Sequence, residues 1–349
     1  MSVTDFEQRR KEILELIIEA HVLSASPVGS EFVSKKLRSS LSPATIRNIM
    51  VELERSGYLE QPHTSAGRVP TDRGYRFYVD AVMDTPRLSP DELRQIEVLI
   101  QPPELDVEQL LQRASSVLAG LTEQAAFAVS PTVKQRTVKQ IELMPLGVRK
   151  ILCVLVANEE MVASHVVEIE EPMSRDEATA LGRFLNTELA GLAFSELLNS
   201  LERRMLAESD SFYHLVKRSL GILEHALSSE PNDRLYLEGA SYVVAQPEFS
   251  RHPHKAHELL KGLDNEQTLL ERIRQDIAPE GVQVRIGREV RLPGLEECSY
   301  LLAPCAIGEE IVGGIGVLGP KRMSYRRMRS LVEGMARCVT NLLTRWDTR

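Results

Sequence analysis

The chain has 349 residues, of which 43% are hydrophobic and 26% are charged, so it is long enough for two or three globular domains. It contains no apolar run of the ~18 residues that a membrane span requires. Its N-terminus carries acidic residues where a signal peptide would carry basic ones. We therefore expect a cytoplasmic protein with no membrane partner.

The formal net charge is −8, which argues at first against a nucleic-acid partner. Residues 1–80, however, hold equal numbers of basic and acidic side chains, so the excess of acid lies in the remainder of the chain. Basic residues cluster within this neutral segment at Lys35, Lys36, Arg38 and Arg47, and then at Arg68, Arg73 and Arg76. Phosphate binding needs only local clustering on one face, so the overall acidity does not exclude DNA.

The N-terminal segment predicts three helices in succession. The first has its apolar face at Ile13, Leu16, Ile17 and Ala20 and ends before Pro27. The second begins near Ser30, and its expected inward residues are Phe32, Val33 and Leu37. The third runs over 42–56, because Ser42 is a good N-cap, Pro43 suits the first helical position and Gly57 supplies a stop.

The third helix has two chemically different faces. Its apolar face carries Ile46, Met50 and Leu53. The opposite face offers small residues together with side chains able to form paired hydrogen bonds with base edges in a major groove: Ser42, Ala44, Thr45, Arg47 and Asn48. The alternative is that Arg47 and Asn48 only solvate an ordinary surface helix.

The segment YLEQPHTSAGRVPT places turn-forming residues between two short extended pieces, as a β-wing requires. Thr71 then caps a further helix in which Tyr75, Tyr78, Val79 and Val82 pack back on the module, while Arg73 and Arg76 face phosphates or solvent. The expected wing and backbone contacts are Lys35, Lys36, His63, Thr64, Ser65, Gly67, Arg68 and Arg73. This order of elements predicts a winged helix-turn-helix, although a lone histidine such as His63 is commonly just exposed.

The remainder predicts a mixture of helices and strands. Helices are expected over 90–100 and 106–123, followed by strands in 138–146, 150–158 and 162–170. Three helical stretches follow over 174–189, 193–206 and 211–227, and the chain closes with strands at 282–286, 298–307 and 311–318 and a helix at 324–345.

Three further motifs resemble chemical sites, but each has a simpler interpretation. Four widely spaced cysteines (Cys153, Cys298, Cys305 and Cys338) are expected to be buried free thiols. Gly314, Gly316 and Gly319 match a dinucleotide fingerprint but lie inside a predicted strand, where close backbone packing explains them better. His252, His254 and His257, with Glu258, resemble part of a metal site but are better explained as a solvated helix start. We expect no cofactor, no metal and no enzymatic chemistry.

Several segments resemble the heat-inducible transcription repressor family HrcA. The likeness is carried by PVGS at 27–30, SPATIRN at 42–48 and LEQPHTSAGRVPTDRGYRFYVD at 59–80, and it continues in YLEGASYVVAQPEF at 236–249 and GGIGVLGPKRMSYRRMRSLVE at 313–333. The family usually places an acidic residue after Asn48, where this chain has Ile49.

The resemblance implies an α+β multidomain repressor that acts as a homodimer. Its implied parts are a winged helix-turn-helix over 1–88, a GAF-like domain over 89–130 and 231–349, and an inserted dimerisation domain over 131–230. It further implies an inverted-repeat operator, the CIRCE element, upstream of chaperone genes, and control by the GroE chaperonin, which favours the active repressor until heat shock occupies it. The alternative is a winged-helix regulator whose GAF-like domain binds a small effector directly.

Overall fold

The computed structural model describes residues 3–37, 41–63, 66–81, 88–101, 107–129, 138–157, 160–169, 171–192, 197, 200, 217, 221–223, 234–278, 281–308 and 310–347. The chain divides into two compact units. The first joins Met1–Ser130 to Leu235–Arg349, and the second is Pro131–Arg234. Helices and antiparallel sheets occur together, which confirms the expected α+β class.

The elements in chain order are as follows. The first unit begins with α1 (Val3–Ser24), α2 (Ser30–Lys36), α3 (Pro43–Arg55), β1 (Leu59–Glu60), β2 (Val69–Pro70), α4 (Asp72–Ala81), α5 (Pro90–Ile100), α6 (Val107–Thr122) and β3 (Ala125–Val129). The second unit contains β4 (Val138–Gly147), β5 (Lys150–Ala157), β6 (Glu160–Glu168) and α7 (Arg175–Leu189). The first unit resumes with β7 (Leu235–Glu238), α8 (Ala240–Val244), α9 (Pro247–Ser250), α10 (Pro253–Asp264), α11 (Glu266–Asp276), β8 (Gln283–Ile286), a 3₁₀ turn (Gly287–Val290), β9 (Cys298–Ile307), β10 (Glu310–Pro320) and α12 (Tyr325–Asp347).

We call residues 3–81 the N-terminal module. In it, α3 is bounded as its sequence predicts, with Ser42 as the N-cap and Gly57 at positive φ just beyond the end. Thr71 caps α4, because its Oγ1 accepts a hydrogen bond from Gly74 N at 3.2 Å. Tyr75, Tyr78 and Val79 are buried as expected, whereas Val82 lies outside the described residues.

The inward faces of α1 and α2 differ from the expectation at single positions. On α1, Leu14 and Ile18 are buried beside Ile13 and Ile17, while Leu16 and Ala20 only flank the core. On α2 the expectation for Phe32 was wrong, because its side chain is 46% exposed. Val33 and Leu37 are buried as expected, and Ser30 joins them, so the inward positions are i, i+3 and i+7 and position 32 lies on another face.

We call the rest of the first unit the body, and it is built on a five-stranded antiparallel sheet in the order β7-β3-β10-β9-β8. Ala126 and Ala128 of β3 join the core shared with α6, α12 and the N-terminal module. Ala125, Phe127 and Val129 point the other way, into a second core with α8–α11. Because both faces of β3 are covered, its sequence is a continuous apolar run without alternation, and we did not predict it.

The second unit contains an antiparallel meander, β4-β5-β6, with α7 packed against it. Asn186 of α7 locks the two together, accepting from Ile141 N at 2.7 Å and donating to Ile141 O at 2.8 Å. Most of the two helices expected over 193–206 and 211–227 lies outside the described residues.

Candidate nucleic-acid interface

The outer face of α3 carries the five side chains expected to meet base edges. Ile46, Met50 and Leu53 fix the inner face in the core, as predicted. Ser42, Ala44, Thr45, Arg47 and Asn48 are all exposed. Ser42 also serves the helix itself, since its Oγ accepts from Thr45 N at 3.2 Å and lies 2.9 Å from Thr45 Oγ1. The exposed set therefore combines small side chains at the helix N-terminus with one guanidinium and one amide.

Ile49 belongs to the inner face and not to this surface. Its side chain is 4% exposed and joins the core beside Met50. The position at which this chain departs from the family pattern is therefore a packing position, and its side chain lies on the face of α3 opposite Arg47 and Asn48.

The β1–β2 hairpin, which we call the wing after the prediction from sequence, is held close to the loop that precedes α2. Strands β1 and β2 pair antiparallel, and Val28 and Arg68 exchange two backbone hydrogen bonds of 2.9 Å each. A Cβ at Gly67 would lie 2.5 Å from the Val28 carbonyl carbon and 2.9 Å from Gly29 N, so only glycine permits this approach. His63 is exposed near the wing tip, and Thr64 and Ser65 lie outside the described residues.

Two arginines expected on the DNA backbone have partners within the N-terminal module. Arg68 Nη2 lies 2.9 Å from Glu54 Oε2 and its Nε donates to the same oxygen at 3.1 Å, which ties the wing to α3. Arg73 Nη1 donates to Ser56 O at 2.9 Å, and its guanidinium lies 4.6 Å from the centre of the Tyr58 ring. A cation at this carbonyl stabilises the C-terminal end of α3. Lys35 and Lys36 are exposed in the last turn of α2.

Helix α4 connects the N-terminal module to the body. Tyr75 packs against Tyr325 of α12, with ring centres 6.0 Å apart, and its hydroxyl lies 2.8 Å from His21 Nδ1. Burial raises the pKa of the Tyr75 hydroxyl and lowers the pKa of His21. Arg322 reaches the end of α1 from the body, donating to Val22 O at 3.1 Å.

A group of charges surrounds the same junction. Asp72 accepts from Arg288 N at 3.1 Å and lies 3.0 Å from Lys321 Nζ. Arg76, expected at phosphates or in solvent, instead donates to Glu289 Oε1 at 3.0 Å and to Val284 O at 2.7 Å. Burial by itself lowers the pKa of Lys321, but the carboxylates of Glu297 and Asp72 outweigh it and raise the pKa, so this lysine stays charged.

Comparison with known proteins identifies the family. Residues 108–328 match the family model described as the HrcA protein C-terminal domain. The heat-inducible transcription repressor HrcA of Chlorobium phaeobacteroides (strain BS1) is 35% identical, over 99% of this chain and 100% of that protein. The chain belongs to the HrcA family. HrcA proteins are transcription repressors and not enzymes.

Two further comparisons cover nearly the whole chain. The repressor of the same name from Pelotomaculum thermopropionicum is 33% identical over 97% of both chains. A hypothetical protein of known crystal structure aligns with 97% of this chain and 98% of its own, at a TM-score of 0.61 and 24% identity. This last likeness concerns the fold alone.

The cysteines, the glycines of β10 and the histidines near α10 lie where the simpler interpretations predict. All four cysteines are buried free thiols, and burial raises the pKa of Cys153 to about 12. A Cβ at Gly316 would lie 2.5 Å from Phe127 Cζ, so this glycine permits close packing within the sheet. His254 is 83% exposed near the start of α10. Within the described ranges, no helix is long and apolar enough to cross a bilayer.

Sequence reasoning missed the partners of the module's charges. Glu54 is a visible candidate for Arg68, because strands β1 and β2 return the chain to α3. Glu289 and Lys321 carried no local signal, since more than 200 residues separate each of them from its partner in α4.

Proposed function

We propose that the N-terminal module is a winged helix-turn-helix with α3 in the major groove of DNA. The observation that carries this proposal is the exposed set Ala44, Thr45, Arg47 and Asn48, opposite an inner face that is fully engaged in the core. Arg47 suits a guanine edge and Asn48 an adenine edge, each through two hydrogen bonds. The transcription-repressor family supports the same role.

The wing and its neighbours contact the sugar-phosphate backbone in this proposal. His63, Thr64, Ser65, Gly67 and Arg68 approach one strand, and Lys35, Lys36 and Arg73 complete the positive rim. Such contacts orient the module without reading sequence. Arg68 can reach a phosphate only if it shares its guanidinium with Glu54, so its main contribution is to hold the wing in place.

The complete repressor is proposed to be a homodimer on an inverted-repeat CIRCE operator. Dimer symmetry then matches operator symmetry, with half-sites ~34 Å apart or a multiple of that distance. The body is proposed to be GAF-like over 89–130 and 231–349, and the insert over 131–230 to be the dimerisation domain. We propose that GroE favours the active repressor and that heat shock, by occupying GroE, releases the operons.

A gel-shift titration tests base readout. Arg47→Ala and Asn48→Ala should each weaken operator binding by ~1–3 kcal/mol while leaving affinity for unrelated DNA nearly unchanged. Arg251→Ala, which removes an exposed arginine from the body, is the matched control and should bind normally. Unchanged operator affinity in both α3 variants contradicts the assignment of the recognition helix.

Salt dependence tests the backbone contacts separately. Lys35→Ala and Lys36→Ala should each reduce the slope of log affinity against log salt by ~0.9 and weaken binding to all sequences alike. An unchanged slope would place these lysines away from the phosphates.

Control by the chaperonin needs its own measurement. Operator binding is assayed after mild heating, with and without purified GroE. Recovery that depends on GroE supports the proposed control, and full recovery without it favours a repressor that senses heat by itself.

A cleft in the body favours a second candidate, direct binding of a small effector. The cleft has a volume of about 670 Å³ and lies between α5, the end of α6 and the start of α12. Leu88, Ile96 and Leu99 give it apolar walls, and Arg326 and Arg327 line it as well. Glu92 also lines the cleft, so two arginines face one carboxylate, and this balance suits an apolar molecule with a single negative charge. A thermal-shift screen of metabolites tests it, with the exposed Leu99 changed to Glu as the variant that should lose any observed shift.

A further inference from the structure

The polar face of α4 points at the body. Asp72 and Arg76 are four residues apart, so they lie on one side of the helix. Asp72 contacts Lys321 and the backbone of Arg288, while Arg76 forms a fork with the Glu289 carboxylate. We call these contacts the α4 latch.

Close packing between Gly287 and Asp72 accompanies the charged contacts of the α4 latch. Gly287 has φ of +54°, and a Cβ there would lie 2.6 Å from Asp72 Oδ1 and closer still to Oδ2. A side chain at position 287 would therefore displace the Asp72 carboxylate from its present position, and it would also have to adopt a left-handed backbone conformation.

Movement of α4 would be transmitted to α3 by short contacts. Arg73 donates to Ser56 O at the end of α3. Two residues earlier, at the cap of α4, Thr71 Oγ1 donates to Gly57 O at 2.6 Å, and Thr71 N donates to Tyr58 O at 3.1 Å. The latch therefore joins α3 to the body through α4, beside the Tyr75–Tyr325 contact and the hydrogen bond from Arg322 to Val22 O.

The latch does not mask the reading surface. Ala44, Thr45, Arg47 and Asn48 stay exposed while α4 is docked. Ion pairs of this partly exposed kind add little stability, but a two-pronged arginine–carboxylate contact is strongly directional. Orientation is thus the property that the latch supplies.

We propose that Asp72 and Arg76 are positioning residues, which hold α3 at a fixed angle to the body and do not themselves contact DNA. This inference rests on the proposed function, since it takes α3 as the reader and a dimer as the binding species. In a dimer whose two α3 helices are held at fixed angles, both helices can bind at once only if the operator half-sites have the matching separation. Simultaneous binding is what raises the affinity.

The test compares the full-length repressor on three DNAs: the inverted repeat, a single half-site, and repeats with base pairs inserted between the half-sites. Asp72→Asn and Arg76→Glu should each bind the inverted repeat about tenfold more weakly than the wild type. This loss is smaller than the ~10²–10⁴-fold gain in affinity that two linked binding modules can give when both bind. Affinity for the half-site should stay within about twofold, because base contacts are intact. The variants should also bind repeats of different half-site separation with more nearly equal affinity than the wild type does.

A charge swap separates positioning from DNA contact. Arg76→Glu combined with Glu289→Arg restores an ion pair with reversed polarity, but Asp80 and the Val284 carbonyl lose their donor, so the swap should recover part of the affinity for the inverted repeat that Arg76→Glu alone loses. If Arg76 contacts a phosphate instead, the swap leaves a repelling carboxylate at the DNA and recovers nothing. That result, or an equal loss on half-site and repeat, overturns the proposal.

A steric variant tests the latch without changing charge. Gly287→Ala forces the Asp72 carboxylate away from Lys321 and should reproduce the flattened separation preference. Gly308→Ala is the matched control, because Gly308 also has positive φ (+60°) but a Cβ there meets nothing within 4 Å. If Gly287→Ala does not fold, the charge swap still decides. Wild-type protein that does not distinguish operator from unrelated DNA would refute the proposed function itself, which is a separate outcome.

Discussion

The close approach of Gly67 to the Val28 backbone predicts that the wing cannot tolerate a side chain at this position. Gly67→Ser places a Cβ 2.5 Å from the Val28 carbonyl carbon, and the atoms it meets are backbone that cannot rotate away. Separation must break the two hydrogen bonds between Val28 and Arg68. At ~0.5–1.5 kcal/mol each, their loss lowers the local stability of the wing by ~1–3 kcal/mol.

Gly29→Ser is the matched control, because the same side chain there finds no atom within 4 Å. Gly29 is also the N-cap of α2, a position that serine favours, so this variant should be neutral or slightly stabilised. The two substitutions are chemically identical and lie on adjacent backbone segments. Any difference between them therefore reports the contact and not the residue type.

Amide hydrogen exchange measures the effect where it occurs. In Gly67→Ser, the amides of Val28 and Arg68 should exchange roughly five- to 150-fold faster, which is the same ~1–3 kcal/mol expressed as a ratio. Operator affinity should fall with wing protection. Equal exchange rates in the Gly67 and Gly29 variants would refute the steric reasoning. Faster exchange in the wing with unchanged operator affinity would show that the wing does not contact the operator.

Three other substitutions test the core and the junction. Burial by itself raises the pKa of Asp276, but hydrogen bonds from Arg285 and Tyr300 outweigh burial, and the net effect lowers the pKa. The ionised carboxylate therefore stabilises the fold above the unfolded pKa of ~3.9, and this stabilisation is lost as pH falls through the pKa of the folded state. Asp276→Asn should therefore cost ~3 kcal/mol at pH 7 and flatten the acid limb of urea-unfolding curves, and an unchanged limb would contradict this. Burial lowers the pKa of His21, so wild-type stability should decline as pH falls below the unfolded pKa of ~6.5, and His21→Gln should decline less between pH 8 and 5. Ile49→Ala should destabilise by ~2–4 kcal/mol in thermal melts and leave the ranking of mutated operators unchanged, whereas an altered ranking would return position 49 to the reading surface.

Local signals in the sequence were sufficient for α3. A cap, a proline at the first position and a glycine stop are short-range effects, and each acts within four residues of the helix end. The same holds for the inner face, where Ile46, Met50 and Leu53 repeat at helical spacing. Ile49 shows the limit of the method, because whether its position belongs to the inner or the outer face depends on how far the core wraps around the helix.

Features that depend on distant partners were not predictable in the same way. Strand β3 has apolar residues on both faces because a core lies on each side of it, and sequence alone does not reveal the second core. Arg76 is a similar case. The sequence predicts an arginine on the polar face of an amphipathic helix, and such a side chain can bind a phosphate of DNA or a carboxylate of the protein equally well. Its partner Glu289 is 213 positions away, so only the fold distinguishes the two.

The distribution of partners changes what the module's charge means for DNA binding. Arg68, Arg73 and Arg76 all lie after α3 and were the obvious candidates for phosphate contacts, yet each contacts a carboxylate or a carbonyl within the protein. Lys35 and Lys36 are exposed, so α2 supplies more available positive charge than the wing side does. Each phosphate contact that is lost removes a sequence-independent contribution to affinity. In the proposed function, a module with this distribution of charge depends more heavily on base contacts and on the exact placement of α3, and the α4 latch is proposed to supply that placement.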